Sequence, residues 1–284
     1  MRRRRLTLGF TLVELAMALF VIALLMGTVM YTLSAQNDQR MRTDTLRSLD
    51  DAKELLITFA IVNGRLPCPA STSTNGAEAD LPLGSGSGAC TSGYIGYLPA
   101  RVIGFQPQDG SGYGLDAWNN RIRYAVSITV PANSGAAPPT ATPRVCRPVS
   151  PTTPPIAPHF TNKTNLKTNG IDCAPSDLVV CSSSSGITPS TCGAATPVTN
   201  QQVVAAVIWS QGKNFASSRY LGVQGQAGDD ERVNNKTVSN SNNPVFVAHT
   251  PAPAGAAGGE FDDLLTWIPA GQLYGRLVAA GVLP

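Results

Sequence analysis

The chain has 284 residues, a formal net charge of +3 and 14% charged residues. So few charges of nearly balanced sign exclude a nucleic-acid footprint spread over the protein, because phosphate binding needs a clustered basic face. The length admits a leading segment and one domain of ordinary size with a core of its own.

Residues 2–5 are all arginine, and residues 10–33 contain no Lys, Arg, Asp or Pro. At about 1.5 Å per residue, a helix of that length crosses a hydrocarbon core of roughly 30 Å, so a transmembrane helix is expected over 10–33. The basic start, against the mixed charges of Asp38, Arg40, Arg42 and Asp44, sets the N-terminus in the cytoplasm and exports everything past Ala35. One carboxylate, Glu14, interrupts the apolar run. A charge in a membrane helix costs roughly 2.5–3.5 kcal/mol on insertion scales, which marks Glu14 as a functional residue with a partner to be found. An ordinary secretory signal peptide cut after Leu33-Ser34-Ala35 is the plainer alternative. Its apolar region is normally shorter, and Leu33 is large where a small residue is wanted. A simple uncleaved anchor would leave Glu14 without a role.

Behind the arginine-rich leader, Gly9-Phe10-Thr11-Leu12-Val13-Glu14-Leu15 resembles the class III signal of type IV prepilins and type II secretion pseudopilins. The resemblance implies that residues 1–9 are a leader peptide removed by a membrane-embedded aspartyl prepilin peptidase. It implies that the cut falls between Gly9 and Phe10, that Phe10 becomes N-methylphenylalanine, and that Glu14 is the hallmark Glu of the family. Before cleavage the Phe10 nitrogen is an uncharged amide; afterwards it is an ammonium, and methylation keeps that charge. Phe10 and Glu14 stand one helical turn apart. A neighbouring subunit displaced along the axis by roughly 6 Å would bring its ammonium to Glu14, making the pair an assembly register.

No proline interrupts residues 10–63, and Asn63-Gly64 followed by Pro67 is a helix stop, so one long helix is expected over 10–63 with Gly27 as its weak point. In its outer half Leu46, Leu49, Leu56 and Phe59, with Leu55 and Val62 beside them, are separated by Arg47, Asp50, Asp51, Lys53 and Glu54. That amphipathic pattern lays one face on a globular domain. The resemblance implies an α+β, type IV pilin-like fold: a long N-terminal helix, half transmembrane and half amphipathic, packed on a small antiparallel β-sheet with long disulfide-tied loops. The helix-breaking Pro that many type IV pilins carry in the first half of this helix is absent.

Residues 64–284 form the exported globular part. Its six cysteines, Cys68, Cys90, Cys146, Cys173, Cys181 and Cys192, contain no C-x-x-C, and only His159 and His249 could join a metal set, so disulfides in an oxidising compartment are expected. Locality pairs Cys68 with Cys90, a closure contributing on the order of 3 kcal/mol in the chain-entropy model. Cys181 with Cys192 and Cys146 with Cys173 are the expected remaining pairs among those that six cysteines allow.

Residues 124–130 alternate as a half-buried strand does, and residues 203–209 form a continuous apolar run that suits a central strand. The Pro/Thr-rich stretch 131–158 cannot be regular sheet and reads as an extended surface loop. Two more low-complexity stretches follow, 182–197, pinned by Cys192, and 239–259, around a short strand at Val245-Phe246-Val247. Three segments of the exported part also resemble major pseudopilins. Asp116-Ala117-Trp118-Asn119-Asn120 is similar to their Asp-x-Trp-Gly-Asn turn, with Asn119 in place of Gly, and Ile208-Trp209-Ser210-Gln211-Gly212-Lys213-Asn214 is similar to a strand end. Glu260-Phe261-Asp262-Asp263-Leu264-Leu265-Thr266-Trp267 is similar to the acidic segment before the last strand.

In major pseudopilins that acidic segment binds calcium. The resemblance implies a calcium site at Glu260, Asp262 and Asp263, with hard oxygen ligands completed by backbone carbonyls near residues 212–214. The other reading of the segment is a solvated turn; Asp229-Asp230-Glu231 is a weaker rival for calcium and reads rather as a solvent-facing charge run. After Pro269, Leu273, Tyr274, Leu277, Val278 and Ala280 predict a short amphipathic packing helix that ends at Gly281.

No catalytic set emerges. Gly84-Ser85-Gly86-Ser87-Gly88 puts Gly where a nucleophile elbow needs Ser, and Gly110-Ser111-Gly112-Tyr113-Gly114 lacks the Lys-Ser/Thr of a phosphate loop. A non-enzymatic structural subunit is therefore expected, a minor pilin or pseudopilin of a type IV pilus or type II secretion pseudopilus. The main pseudopilin of a type II secretion system is the alternative within the class; a membrane-anchored periplasmic enzyme or binding protein is the alternative outside it. The implied partners are prepilin peptidase, other pilin or pseudopilin subunits, an inner-membrane assembly platform and, before assembly, lipid; no nucleic acid is implied. The implied location is the bacterial inner membrane with the C-terminal domain periplasmic, and then the filament.

Overall fold

The computed structural model describes residues 11–80, 90, 95–127, 160–169, 178–200, 203–217, 228–236, 244–253, 255–256 and 258–283. The chain divides into two compact units, Met1–Thr43 and Asp44–Pro284. Helix α1, Leu12–Asn63, is 52 residues long and contributes to both.

In the first unit α1 opens on a reciprocal cap at Thr11 and Glu14 and continues without a proline. Every side chain over residues 12–26 is exposed, on all faces of the helix: Leu12 is 84% exposed, Phe20 66% and Ile22 48%. Among the described residues no helix is long and apolar enough to cross a membrane. The side chains of residues 27–35 lie outside the described ones, as do Gly9 and Phe10.

In the second unit α1 buries a stripe of Leu49, Ala52, Leu56, Ile57 and Ala60. This spacing is that of one helix face, and each buried leucine contributes roughly 1.5–3 kcal/mol. The stripe is rotated from the one the leucines alone suggest. Leu46 is 40% exposed and Val62 76%, while Ala52 and Ala60 take the buried positions, where small side chains let the helix lie close to its neighbours. The helix stops where its sequence predicts: Gly64 adopts φ 72° and its N–H bonds the Ala60 carbonyl at 2.8 Å.

Four strands form an antiparallel sheet in the order β1 (Ile95–Tyr97), β2 (Arg123–Val126), β4 (Val204–Ser210) and β6 (Leu264–Pro269). The expected strand over 124–130 begins one residue earlier and ends at Val126; residues 128–130 lie outside the described ones. The apolar run 203–209 becomes β4, buried throughout because both sheet faces are covered. On one face Tyr124, Val126, Ala206 and Ile208 pack with α1 and with α5 (Ala270–Ala279), through Leu273 and Leu277. On the other, Ala125, Val207 and Trp209 pack against Leu178, Val180 and Phe246.

That second layer holds a parallel pair, β3 (Val179–Cys181) and β5 (Val245–Val247). β5 lies where the sequence places a short strand; its pairing with β3 brings together segments far apart in the chain. Short helices α2 (Ala100–Ile103), α3 (Lys163–Asn169) and α4 (Asp229–Asn234) lie in the connections. Disulfides join Cys68 to Cys90 and Cys181 to Cys192, as expected from their spacing. Cys146 and Cys173 lie outside the described residues.

Candidate functional sites

At the start of α1, Glu14 Oε2 accepts from the Thr11 N–H at 3.0 Å and from the Thr11 hydroxyl at 2.9 Å, while the Glu14 N–H donates to Thr11 Oγ1 at 3.3 Å. This is a capping box, two helix-end donors satisfied reciprocally by Thr and by the Glu three residues on. Its Thr-x-x-Glu signature is visible in the sequence, and it gives Glu14 a partner within its own chain. The carboxylate is therefore not stranded within the single chain.

A second cluster sits where α4, the end of β4 and the start of β6 meet. Asp262 Oδ2 accepts from the backbone N–H groups of Lys213, at 2.9 Å, and Asn214, at 3.0 Å. The Asp262 N–H donates to Glu231 Oε1 at 2.7 Å, and Asn214 Nδ2 donates to Glu231 Oε2 at 3.1 Å. Asp263 Oδ2 accepts from Asn234 Nδ2 at 2.9 Å. The same Asn234 amide bonds both the N–H and the carbonyl of Val247, each at 2.8 Å. Glu231, Asp262 and Asp263 thereby offer carboxylate oxygens that all lie within 4.8 Å of one another. Asp262 Oδ1 is buried and has no hydrogen-bond partner.

Like charges this close, away from water, resist ionising together. Burial, followed by repulsion from Glu231, pushes Asp262 up to about 7. The same two causes, burial the larger, push Asp263 well above the usual carboxylate range. Either a shared proton or a cation relieves the cluster. The donor set of three carboxylates, one oxygen unpartnered, suits a hard oxygen-seeking divalent cation such as calcium.

The predicted ligand set changes in two ways. Asp262 and Asp263 come together as expected, but Glu231 completes the group in place of Glu260, which lies before the backbone bridge that pairs Phe261 with Ala252. Glu260 adds only a further, smaller repulsion on Asp262. Lys213 and Asn214 meet Asp262 through amide N–H groups rather than carbonyls, while the Gly212 N–H donates to Ser210 Oγ at 3.1 Å and its carbonyl accepts from Asn120 Nδ2 at 2.6 Å. Of the run 229–231 only Asp229 faces solvent. Glu231 is buried in the cluster, and Asp230 is held by His249 Nε2 at 3.0 Å and by the Ser184 N–H at 2.5 Å.

Next to the cluster the Asp116 turn is closed by its own side chain. Asp116 Oδ1 accepts from the N–H groups of Trp118 and Asn120, at 2.9 and 2.8 Å, and Oδ2 accepts from the Ser210 hydroxyl at 2.5 Å. Burial raises the Asp116 pKa above its ordinary value against the pull of these bonds. Asn119 adopts φ 65°, the left-handed region that glycine occupies without strain and that Asn tolerates best among other residues. The turn reaches α1, where Thr45 Oγ1 accepts from the Ala117 N–H at 3.2 Å. The three segments 116–120, 208–214 and 260–267 singled out in the sequence thus converge on one corner. Comparison with protein-family models, with curated proteins and with solved structures finds no match for this chain.

Proposed function

We propose that the chain is a structural subunit of a type IV filament or type II secretion pseudopilus, a minor pilin or pseudopilin, processed by prepilin peptidase and assembled through α1. The observation that carries this reading is the first unit. A helix exposed on every face over residues 12–26, and apolar there but for the capped Glu14, requires apolar surroundings. Lipid supplies them before assembly and the helices of neighbouring subunits afterwards. The leader sequence and the disulfides, which suit an exported domain, support the same reading.

The capping box refines the role of Glu14. In the isolated subunit its carboxylate is satisfied by Thr11; in the filament it turns to the ammonium of Phe10 on a neighbour. The charge pair then competes with an existing cap, so it fixes register rather than relieving a bare charge. The Pro/Thr-rich and other long insertions of the exported part favour a scarce subunit over the main one, whose shaft packing would be crowded by them.

Intact-mass and N-terminal analysis of the protein recovered from its host tests this. N-methylphenylalanine at residue 10 is expected, and a mature N-terminus at Gln36 overturns the reading. Sheared filaments in which this chain is the dominant band would assign it instead to the main pseudopilin.

A further inference from the structure

On the sheet face opposite α1, Arg123 of β2 lies between Tyr97 of β1 and Trp209 of β4 in one register row. Its guanidinium stands 4.6 Å from the Tyr97 ring and 5.8 Å from the Trp209 ring. Trp209 meets Phe246 edge to face at 5.0 Å, and the Lys236 ammonium stands 4.9 Å from that Phe246 ring. Arg123 Nη2 also donates to the Lys236 carbonyl, so the two residues touch. Arg123 is 7% exposed and Lys236 4%.

Two cations are therefore buried side by side, and among the described residues no carboxylate pairs with either. Arg123 Nε and Trp209 Nε1 are buried with no hydrogen-bond partner. The aromatic faces return part of the cost, about 0.5–2 kcal/mol each, but a buried unpaired charge costs more and buried donors without acceptors add to it. The locality holds a surplus of donors and of positive charge. An apolar ligand supplies no acceptor, a cation is repelled, and water supplies an acceptor without a charge.

We propose that a small oxyanion, a carboxylate or a phosphate group, docks on the donor cluster of Arg123, Trp209 and Lys236. Burial lowers the Lys236 amine to about 7, and an anion beside it restores the ammonium. The inference is independent of the filament reading, since it concerns only the unit Asp44–Pro284.

The test is thermal melting of the full chain in a non-ionic detergent at constant ionic strength, with acetate, inorganic phosphate or chloride as the varied anion. A saturable rise in Tm with acetate identifies a carboxylate, one with phosphate a phosphate group, and chloride is the control. Lys236→Met abolishes the response and by itself melts higher than wild type in chloride at pH 7, since it removes an unpaired buried charge. Trp209→Phe weakens half-saturation by about tenfold, the loss of one hydrogen bond to a charged group. If neither oxyanion exceeds chloride, or if wild type and Lys236→Met respond alike, the proposal fails. Should Lys236→Met not fold, an undiminished response in Trp209→Phe overturns it equally.

Discussion

Glu231 accepts the backbone N–H of Asp262 at 2.7 Å across a separation of 31 residues, and by doing so brings two carboxylates into one enclosure. The strand that follows Asp262 and the helix that carries Glu231 are thereby locked at a point of electrostatic tension. A cation that relieves the tension should tighten both. Calcium is expected to raise Tm at pH 7, by about 2.7 kcal/mol of stability at a hundredfold excess over Kd, and a chelator to reverse the rise. Asp262→Asn should remove the response. A Tm indifferent to calcium and chelator in the wild type would leave the shared proton as the sole occupant.

Without added cation or oxyanion, stability should pass through a minimum near pH 7. The folded-state pKa of Asp262, about 7, lies above its ordinary 3.8, so between those values the folded state holds a proton that the unfolded state has lost, and stability falls as pH rises. The Lys236 pKa, about 7, lies below its ordinary 10.5, so above pH 7 the unfolded state holds the extra proton, and stability rises. Melting curves from pH 4 to pH 10 read both limbs. Asp262→Asn should flatten the acid limb and Lys236→Met the alkaline one.

Two backbone positions with positive φ should answer substitution in opposite ways. Gly212 adopts φ 69°, and a Cβ there would collide with Asp262 Oδ1, so Gly212→Ala should cost at least about 1–3 kcal/mol and abolish any calcium response. Asn119 has open tolerance for glycine at φ 65°, so Asn119→Gly should be neutral or slightly stabilising, whereas Asn119→Val should destabilise by roughly 1–2 kcal/mol. Urea unfolding of the three variants checks the contrast.

At the helix start, capping and assembly can be separated. Gln serves the capping box as well as Glu does, so Glu14→Gln keeps the cap and loses the charge. Thr11→Val does the reverse, at a cost of about 1 kcal/mol. If Glu14 sets filament register, Glu14→Gln should fail to enter sheared filaments while Thr11→Val still enters them. Equal entry of Glu14→Gln and wild type would reduce Glu14 to a cap.

Local signals in the sequence proved the most legible. Asn63-Gly64, the apolar run that became β4, the two nearby cysteine pairs and the helix after Pro269 each rest on interactions within a few residues or on one dominant pattern. The Thr11–Glu14 box is equally local, its Thr-x-x-Glu signature lying at the head of an apolar run. What stayed hidden is non-local. Glu231 joins Asp262 and Asp263 only through the folded chain, and β3 is three residues whose strand character comes from pairing with β5. The buried alanines of α1 look neutral in a pattern of leucines until the packing distance is known.

Asn234 bonds both outward-facing backbone groups of Val247 with one side-chain amide. A strand in a two-stranded sheet ordinarily presents such groups to any passing chain. Here the amide imitates the missing neighbour and seals the position. One residue rather than a covering segment thereby guards this strand against pairing with another copy of the chain.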